Sequence, residues 1–300
     1  SGITLDDVTN YDTSPGMYAE QFGATIYALE HRYYGKSRPT PDQTIPNLKY
    51  LNSRQAIEDI AAFISYINGS LALWFRELHP ELADGAVGSS ATLEARLDFF
   101  GFMEQLEQDV RHYNAGEPRV CNNDLGYAFD SIEELLQTKE GRQNLTDRVN
   151  VTPHLDEVIT DENDIADFYK EFLIDIVYAA QFEGRVEMSH LCDLIVHPDV
   201  HGDYLSGLIA ALGMGGDEVS SRIDLKEAGN LSDARSFAWQ VCTEFGWWQS
   251  TDTGTSVFRA TNPNNVNINY CFDIFGVTVE EQRDAIDSTN DYYGGNEFYT

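Results

Sequence analysis

Ala24-Thr25-Ile26-Tyr27-Ala28-Leu29 runs into Glu30-His31-Arg32-Tyr33-Tyr34-Gly35-Lys36-Ser37, and this join decides the fold class. The first six residues are apolar or β-forming and predict a buried strand, while the charged, Gly-containing stretch after them predicts a loop. Asn52 with Gln55 three positions on has the form of a capping box. Ile57, Ile60, Ala61, Ile64 and Ile67 then recur at helical spacing, so a helix is expected over about 53–67. A second helical run, Ser70 to Leu78, stops before Pro80, and Gly85-Ala86-Val87-Gly88-Ser89-Ser90 has the texture of another buried strand. Strand, helix, helix, strand is an α/β signature.

The texture changes near Thr92. Strand signals fade and apolar residues recur at spacings of three and four, as in Ile165, Phe168, Phe172 and Ile176. After about Asp224 aromatics, Gly and Asn return, with Trp239, Trp247 and Trp248 close together and β-like runs such as Ser256-Val257-Phe258. The expected division is an α/β part over 1–91, a helical insertion over 92–223, and a return to the α/β part over 224–300.

The chain has 300 residues, with 19 Lys plus Arg against 50 Asp plus Glu and a net charge of −31. That charge repels nucleic-acid phosphates and anionic bilayers, so neither is expected as a partner. The most apolar run, Leu205 to Leu212, falls well short of the roughly 20 residues of a membrane helix. Ser1 opens a polar start without Met or a signal-peptide core, and the true N-terminus is expected upstream. Four cysteines permit two disulfides in three pairings, and the sequons at Asn144, Asn150 and Asn230 point with them to the secretory route. His190, Cys192, Asp193, His197, Asp199 and His201 are dense enough to resemble metal ligands. Pro198 interrupts the helical spacing of His197 and His201, however, and no metal site is expected.

Glu30-His31-Arg32-Tyr33-Tyr34-Gly35-Lys36-Ser37, Asn47-Leu48-Lys49-Tyr50-Leu51 and the Gln55-Ala56 helix closely resemble the first part of the prolylcarboxypeptidase family, which includes dipeptidyl-peptidase II and thymus-specific serine protease. Gly69-Ser70-Leu71-Ala72-Leu73-Trp74-Phe75-Arg76 resembles the segment just after that family's catalytic serine. Trp239 to Gly246 and Tyr293-Gly294-Gly295 resemble its C-terminal third. The resemblance implies an α/β-hydrolase core with an inserted helical cap. It also implies a serine exopeptidase without cofactor, acting on peptides with proline near a terminus as a carboxypeptidase or a dipeptidyl peptidase, in a secreted or lysosomal setting. It pairs Cys121 with Cys192 and Cys242 with Cys271, and it places Ser70 and Trp247 in the substrate pocket, where flat aromatic faces suit a proline ring.

The chain departs from the family where the nucleophile should stand. Asn68 runs straight into Gly69, no Gly-x-Ser-x-Gly occurs, and a segment of about twenty residues carrying the nucleophile strand is expected to be missing. Ser65-Tyr66 imitates the serine-tyrosine pair, but Phe63 and Ile67 replace the glycines of the turn, so Ser65 reads as an ordinary helix residue. The family's aspartate and histidine follow the Tyr-Gly-Gly motif beyond Thr300. The chain as given is thus expected to be a truncated form with no catalytic residue, and His31 is read as structural. The alternative expectation is a secreted, catalytically inactive relative that binds peptides or a partner.

Overall fold

The computed structural model describes residues 14–22, 26, 28–64, 72–82, 92–112, 120–152, 154–161, 164–166, 168–169, 173, 176–177, 188–196, 203–213, 219–220, 232–253 and 256–297. The elements in chain order are α1 (Ser14–Phe22), α2 (Ile45–Leu48), α3 (Ser53–Ile64), α4 (Ala72–Leu78), β1 (Arg96–Asp98), α5 (Phe100–His112), α6 (Val120–Leu136) and α7 (Lys139–Val149). There follow β2 (Val151–Thr152), α8 (Leu155–Val158), α9 (Met188–Ile195), α10 (Tyr204–Ala211), β3 (Val219–Ser220) and α11 (Asp233–Gln240). A π-helical turn (Val241–Phe245) leads into β4 (Gly246–Trp248), and α12 (Asn264–Phe275), α13 (Val279–Tyr293) and a 3-10 turn (Gly295–Glu297) follow. The described residues are mostly helical. β1 pairs with β4, and β2 runs parallel to β3 with Val151 opposite Val219.

The chain divides into two compact units, one of 1–97, 225–246 and 271–300, the other of 98–224 and 247–270. In the first, α3 starts where Asn52 Oδ1 accepts the Gln55 N–H at 2.9 Å, and it buries Ala56, Ile57 and Ile60 on one face. Only half of the expected capping box forms, because the Gln55 side chain takes an N–H of Arg32 instead. At α13 the box is complete: Thr278 Oγ1 accepts from the Glu281 N–H, and Glu281 Oε2 accepts from the Thr278 N–H at 2.8 Å. Cys242 is bonded to Cys271.

The second unit is helical around one apolar cluster. Cys121, Leu125, Ala128, Phe129, Ile132 and Leu136 line the inner face of α6 and pack with residues of α5, α7, α9 and α10. Helices α9 and α10 cross closely at Gly207, where a Cβ would lie 2.7 Å from the Leu194 carbonyl oxygen. Cys121 on α6 is bonded to Cys192 on α9.

The strand expected over 24–29 lies partly outside the described residues, which omit 24, 25 and 27, and the β-like run at 256–258 is not a strand. Ile26 and Ala28 to Glu30 are irregular, with Leu29 exposed. An apolar run becomes a strand only when a partner takes its N–H and C=O groups, and none of the described strands pairs with it. Ser256-Val257-Phe258 forms a turn, since the Val257 N–H goes to Glu107 Oε2 and the Phe258 N–H to Ser256 Oγ in place of a ladder. The expected strand at 85–90 and the end of the first expected helix, 65–67, lie outside the described residues.

Candidate functional site

The Glu30–Ser37 turn is held from several sides. Tyr33 and Gly35 take φ of +70° and +51°, and a Cβ on Gly35 would lie 1.9 Å from Glu30 Oε1, so only glycine fits there. The Glu30 carboxylate accepts the Lys36 N–H at 3.0 Å; its pKa is held low, chiefly by the Ser37 side chain. Arg32 forms a two-pronged ion pair with Asp59 on α3, both contacts 2.6 Å. Asp233, at the start of α11, accepts from the Gly35 N–H at 3.2 Å and pairs with Arg38. Ser236 donates to the Tyr33 carbonyl at 3.0 Å.

Hydrolases of the α/β type draw one oxyanion N–H from the loop after their third strand. In this turn the N–H groups of residues 33 to 38 go to Ser37 O, His31 O, Asp233 Oδ1, Glu30 Oε2, Tyr34 O and Lys36 O in order. His31 bonds the Arg32 carbonyl through Nδ1 at 2.7 Å, stands edge-on to Tyr34, and has its pKa lowered by burial. The hydrogen bond and the ring contact tie His31 into the turn. Among the described residues no histidine hydrogen-bonds a serine hydroxyl; His79, for example, faces Glu58 and Glu81.

A buried polar joint lies next to this turn. Glu244, in the π-helical turn, accepts the Ser53 N–H on both oxygens at 2.9 Å and the Ser53 hydroxyl at 2.7 Å. Tyr293 donates to Ser53 Oγ at 2.9 Å, and its ring stacks on Trp74 with centroids 4.2 Å apart. Burial pushes the Glu244 carboxyl up from its usual pKa, against the hydrogen bonds that favour its ionised form. The carboxylate therefore caps the first turn of α3, where the helix end attracts negative charge. Sequence reasoning used Glu244 and Tyr293 only as motif letters; the available signal was an acidic residue inside an otherwise apolar stretch.

Trp247 lies in β4, half-buried, at φ +60°, directly after Gly246 at +67°. A bulky residue in the left-handed region costs about 1–3 kcal/mol and persists only where its surroundings enforce it, a situation common at binding sites. Trp248 stands edge-on to Tyr270, 6.0 Å between centroids. The loop that follows is polar yet buried: Ser250, Thr251, Ser256, Thr261 and Asn262 are in the interior, as is Asn267 on α12. Thr251 and Asn262 exchange two hydrogen bonds of 2.9 Å. Trp248 Nε1, Thr261 Oγ1, Asn262 Oδ1 and Asn267 Nδ2 have no hydrogen-bond partner among the described residues.

Ser70 and Asn230 lie outside the described residues. Asn144 is exposed on α7, and Asn150, also exposed, ends that helix at φ +57°. The Thr146 hydroxyl of the Asn144 sequon is buried, donating to the Arg142 carbonyl at 2.8 Å and accepting the Leu155 N–H at 3.0 Å.

Two Caenorhabditis elegans proteins with serine-protease names are each 29% identical to this chain, over 92% and 94% of it and 62% and 60% of their own lengths. The thymus-specific serine protease of Mus musculus is 27% identical over 94% of this chain and 62% of its own. The lysosomal Pro-X carboxypeptidase of Homo sapiens is 27% identical over 62% of this chain and 43% of its own. The chain thus spans 60–62% of the length of the first three of these curated relatives. The family model for serine carboxypeptidase S28 matches residues 5–300. The chain belongs to the serine carboxypeptidase S28 family.

Proposed function

We propose that the chain is part of a serine exopeptidase that cuts next to proline near a peptide terminus, and that these 300 residues alone lack its catalytic triad. The observation that carries this is the family match across 5–300, with the motifs at 30–37, 69–76, 239–246 and 293–295 in family order. In this reading 1–91 and 224–300 belong to an α/β-hydrolase core and 92–223 to an inserted cap; the helical unit of 98–224 and 247–270 supports an insertion. Trp247 is a substrate-pocket residue in this reading, which its strained backbone supports; Ser70, the other residue that the resemblance implies, lies outside the described residues. Two disulfides and the exposed Asn144 and Asn150 suit a secreted or lysosomal route. The match to the first nematode relative runs over 322 positions, more than the chain itself contains, which supports a segment present in relatives and missing here.

The second reading is a relative that binds peptides or a partner without catalysis. The engaged amides of residues 33–38 favour it, because an oxyanion would have to displace one of those bonds. Sequencing the full transcript decides. Reads that insert Gly-x-Ser-Tyr-x-Gly between Asn68 and Gly69 and continue past Thr300 to an Asp and a His support the exopeptidase. A verified direct junction with a stop codon after Thr300 overturns it in favour of the second reading.

A further inference from the structure

Among the described residues three acidic ones are buried, Glu107, Asp124 and Glu244. Two of them are compensated. Glu107 accepts an N–H of Arg111 and the Val257 N–H at 3.3 Å, and Glu244 accepts the Ser53 N–H at 2.9 Å and the Ser53 hydroxyl at 2.7 Å. Asp124, only 7% exposed, differs from both: no described residue donates a hydrogen bond to its carboxyl or forms an ion pair with it.

The place of Asp124 in α6 accounts for its isolation. Cys121 stands three residues before it and Ala128 four after, both buried, so Asp124 shares the face of α6 that packs inward. Cys121 is bonded to Cys192, which pins α9 onto that face. Asp124 is the fifth residue of α6, beyond the first turn, where the helix end no longer helps a negative charge. The charged and titratable groups of the helices packed on α6 are engaged elsewhere or turned outward. Arg111 of α5 pairs with Glu107, Arg142 of α7 donates to the Leu136 carbonyl at 2.8 Å, His190 and Asp193 of α9 are exposed, and Tyr204 of α10 meets Tyr127. Burial pushes the Asp124 carboxyl up from its ordinary 3.8, with no charge or hydrogen bond to offset it.

We propose that Asp124 is a proton-binding site of the helical unit, occupied in acid surroundings and vacated, with a loss of stability, near neutral pH. An unpaired carboxylate in an apolar interior is unfavourable, and the group escapes that penalty by holding a proton. The folded state therefore binds this proton more tightly than the unfolded one. The contribution to stability is complete below pH 3.8 and is lost as pH rises through the raised folded value. This one group makes the unit firmer in an acidic compartment than in a neutral one. The site needs neither triad nor substrate, so it stands or falls independently of the peptidase reading.

Hydrogen exchange of the α6 amides in the full 300-residue chain tests this, each variant being compared with the parent at the same pH. Asp124→Asn keeps the shape of the side chain and removes its charge. It should slow exchange of those amides roughly fivefold or more at pH 7.5, the size expected from relieving one unpaired buried group, and the difference should shrink towards pH 4. Asp193→Asn makes the same charge change at an exposed position of α9 and should leave exchange unaltered at both pH values. Carbon-detected titration of the Asp124 carboxyl in the parent gives a second reading that does not depend on the folding of a variant, and a midpoint above 3.8 is expected. The proposal is overturned by an Asn variant that exchanges at pH 7.5 as fast as the parent or faster, by an equal effect at both pH values or in Asp193→Asn, or by a carboxyl midpoint at or below 3.8.

Discussion

Glu244 sits where two demands conflict, because the helix end and the Ser53 donors want a carboxylate while burial favours the neutral acid. Burial prevails, so its folded pKa lies above the ordinary 4.5 and the folded state binds the proton more tightly than the unfolded one. Its stabilising effect is fully present below pH 4.5 and is lost as pH rises through the raised value. His31 has the opposite sign: burial lowers its pKa below 6.5, so its contribution is full above 6.5 and is lost as pH falls through the lowered value. Glu244→Gln should therefore remove a component of stability that grows on acidification from neutral pH. Urea unfolding at several pH values checks this, and a variant with the parent's slope above pH 4.5 would refute it. Gly35 gives a second residue-scale prediction. Alanine there would meet both the left-handed backbone and the Glu30 carboxylate, which cannot swing away without losing Lys36 N–H, so Gly35→Ala should cost about 2 kcal/mol, read from the denaturation midpoint.

Helices were the legible elements, because their signals are local. The apolar positions of α3 and α6 recur every three or four residues, and Asn52 supplies a cap a few positions from what it caps. Ser256-Val257-Phe258 carries equally strong local preference and still forms a turn, since the acceptor of Val257 is Glu107, 150 residues away. The joint of Ser53, Glu244 and Tyr293 was hidden for the same reason, its members being far apart in sequence. The α9–α10 crossing shows how tightly such distant choices bind an element. At Gly207 an added methyl would press on backbone, at 2.7 Å from the Leu194 oxygen, and backbone cannot rotate aside. Gly207→Ala should thus destabilise by about 1–3 kcal/mol despite the better helix propensity of alanine. Gly126→Ala meets only a side-chain tip and should not, so comparison of the two melting temperatures separates backbone crowding from general intolerance.

At the scale of the molecule the question is whether any serine in this chain can act as a nucleophile. A serine hydroxyl is a weak nucleophile until a base takes its proton and donors receive the oxyanion. Neither condition is met among the described residues. His31 and His112 bond carbonyls, His79 and His154 face carboxylates, Ser53 is bound to Glu244 inside the core, and the amides of 33–38 are engaged. Loss of the triad alone lowers turnover about a million-fold in serine peptidases, and loss of oxyanion donors removes a further roughly hundred- to thousand-fold. The 300-residue chain, expressed by itself, should therefore leave prolyl dipeptide substrates uncut and take up no serine-directed phosphonate. Intact-mass measurement after exposure to the reagent reads this directly, with the parent mass as the expected result. A stoichiometric adduct at any serine, with cleavage of a proline-containing substrate that the adduct abolishes, would show that a working triad exists in the chain and that Asn68–Gly69 interrupts nothing catalytic.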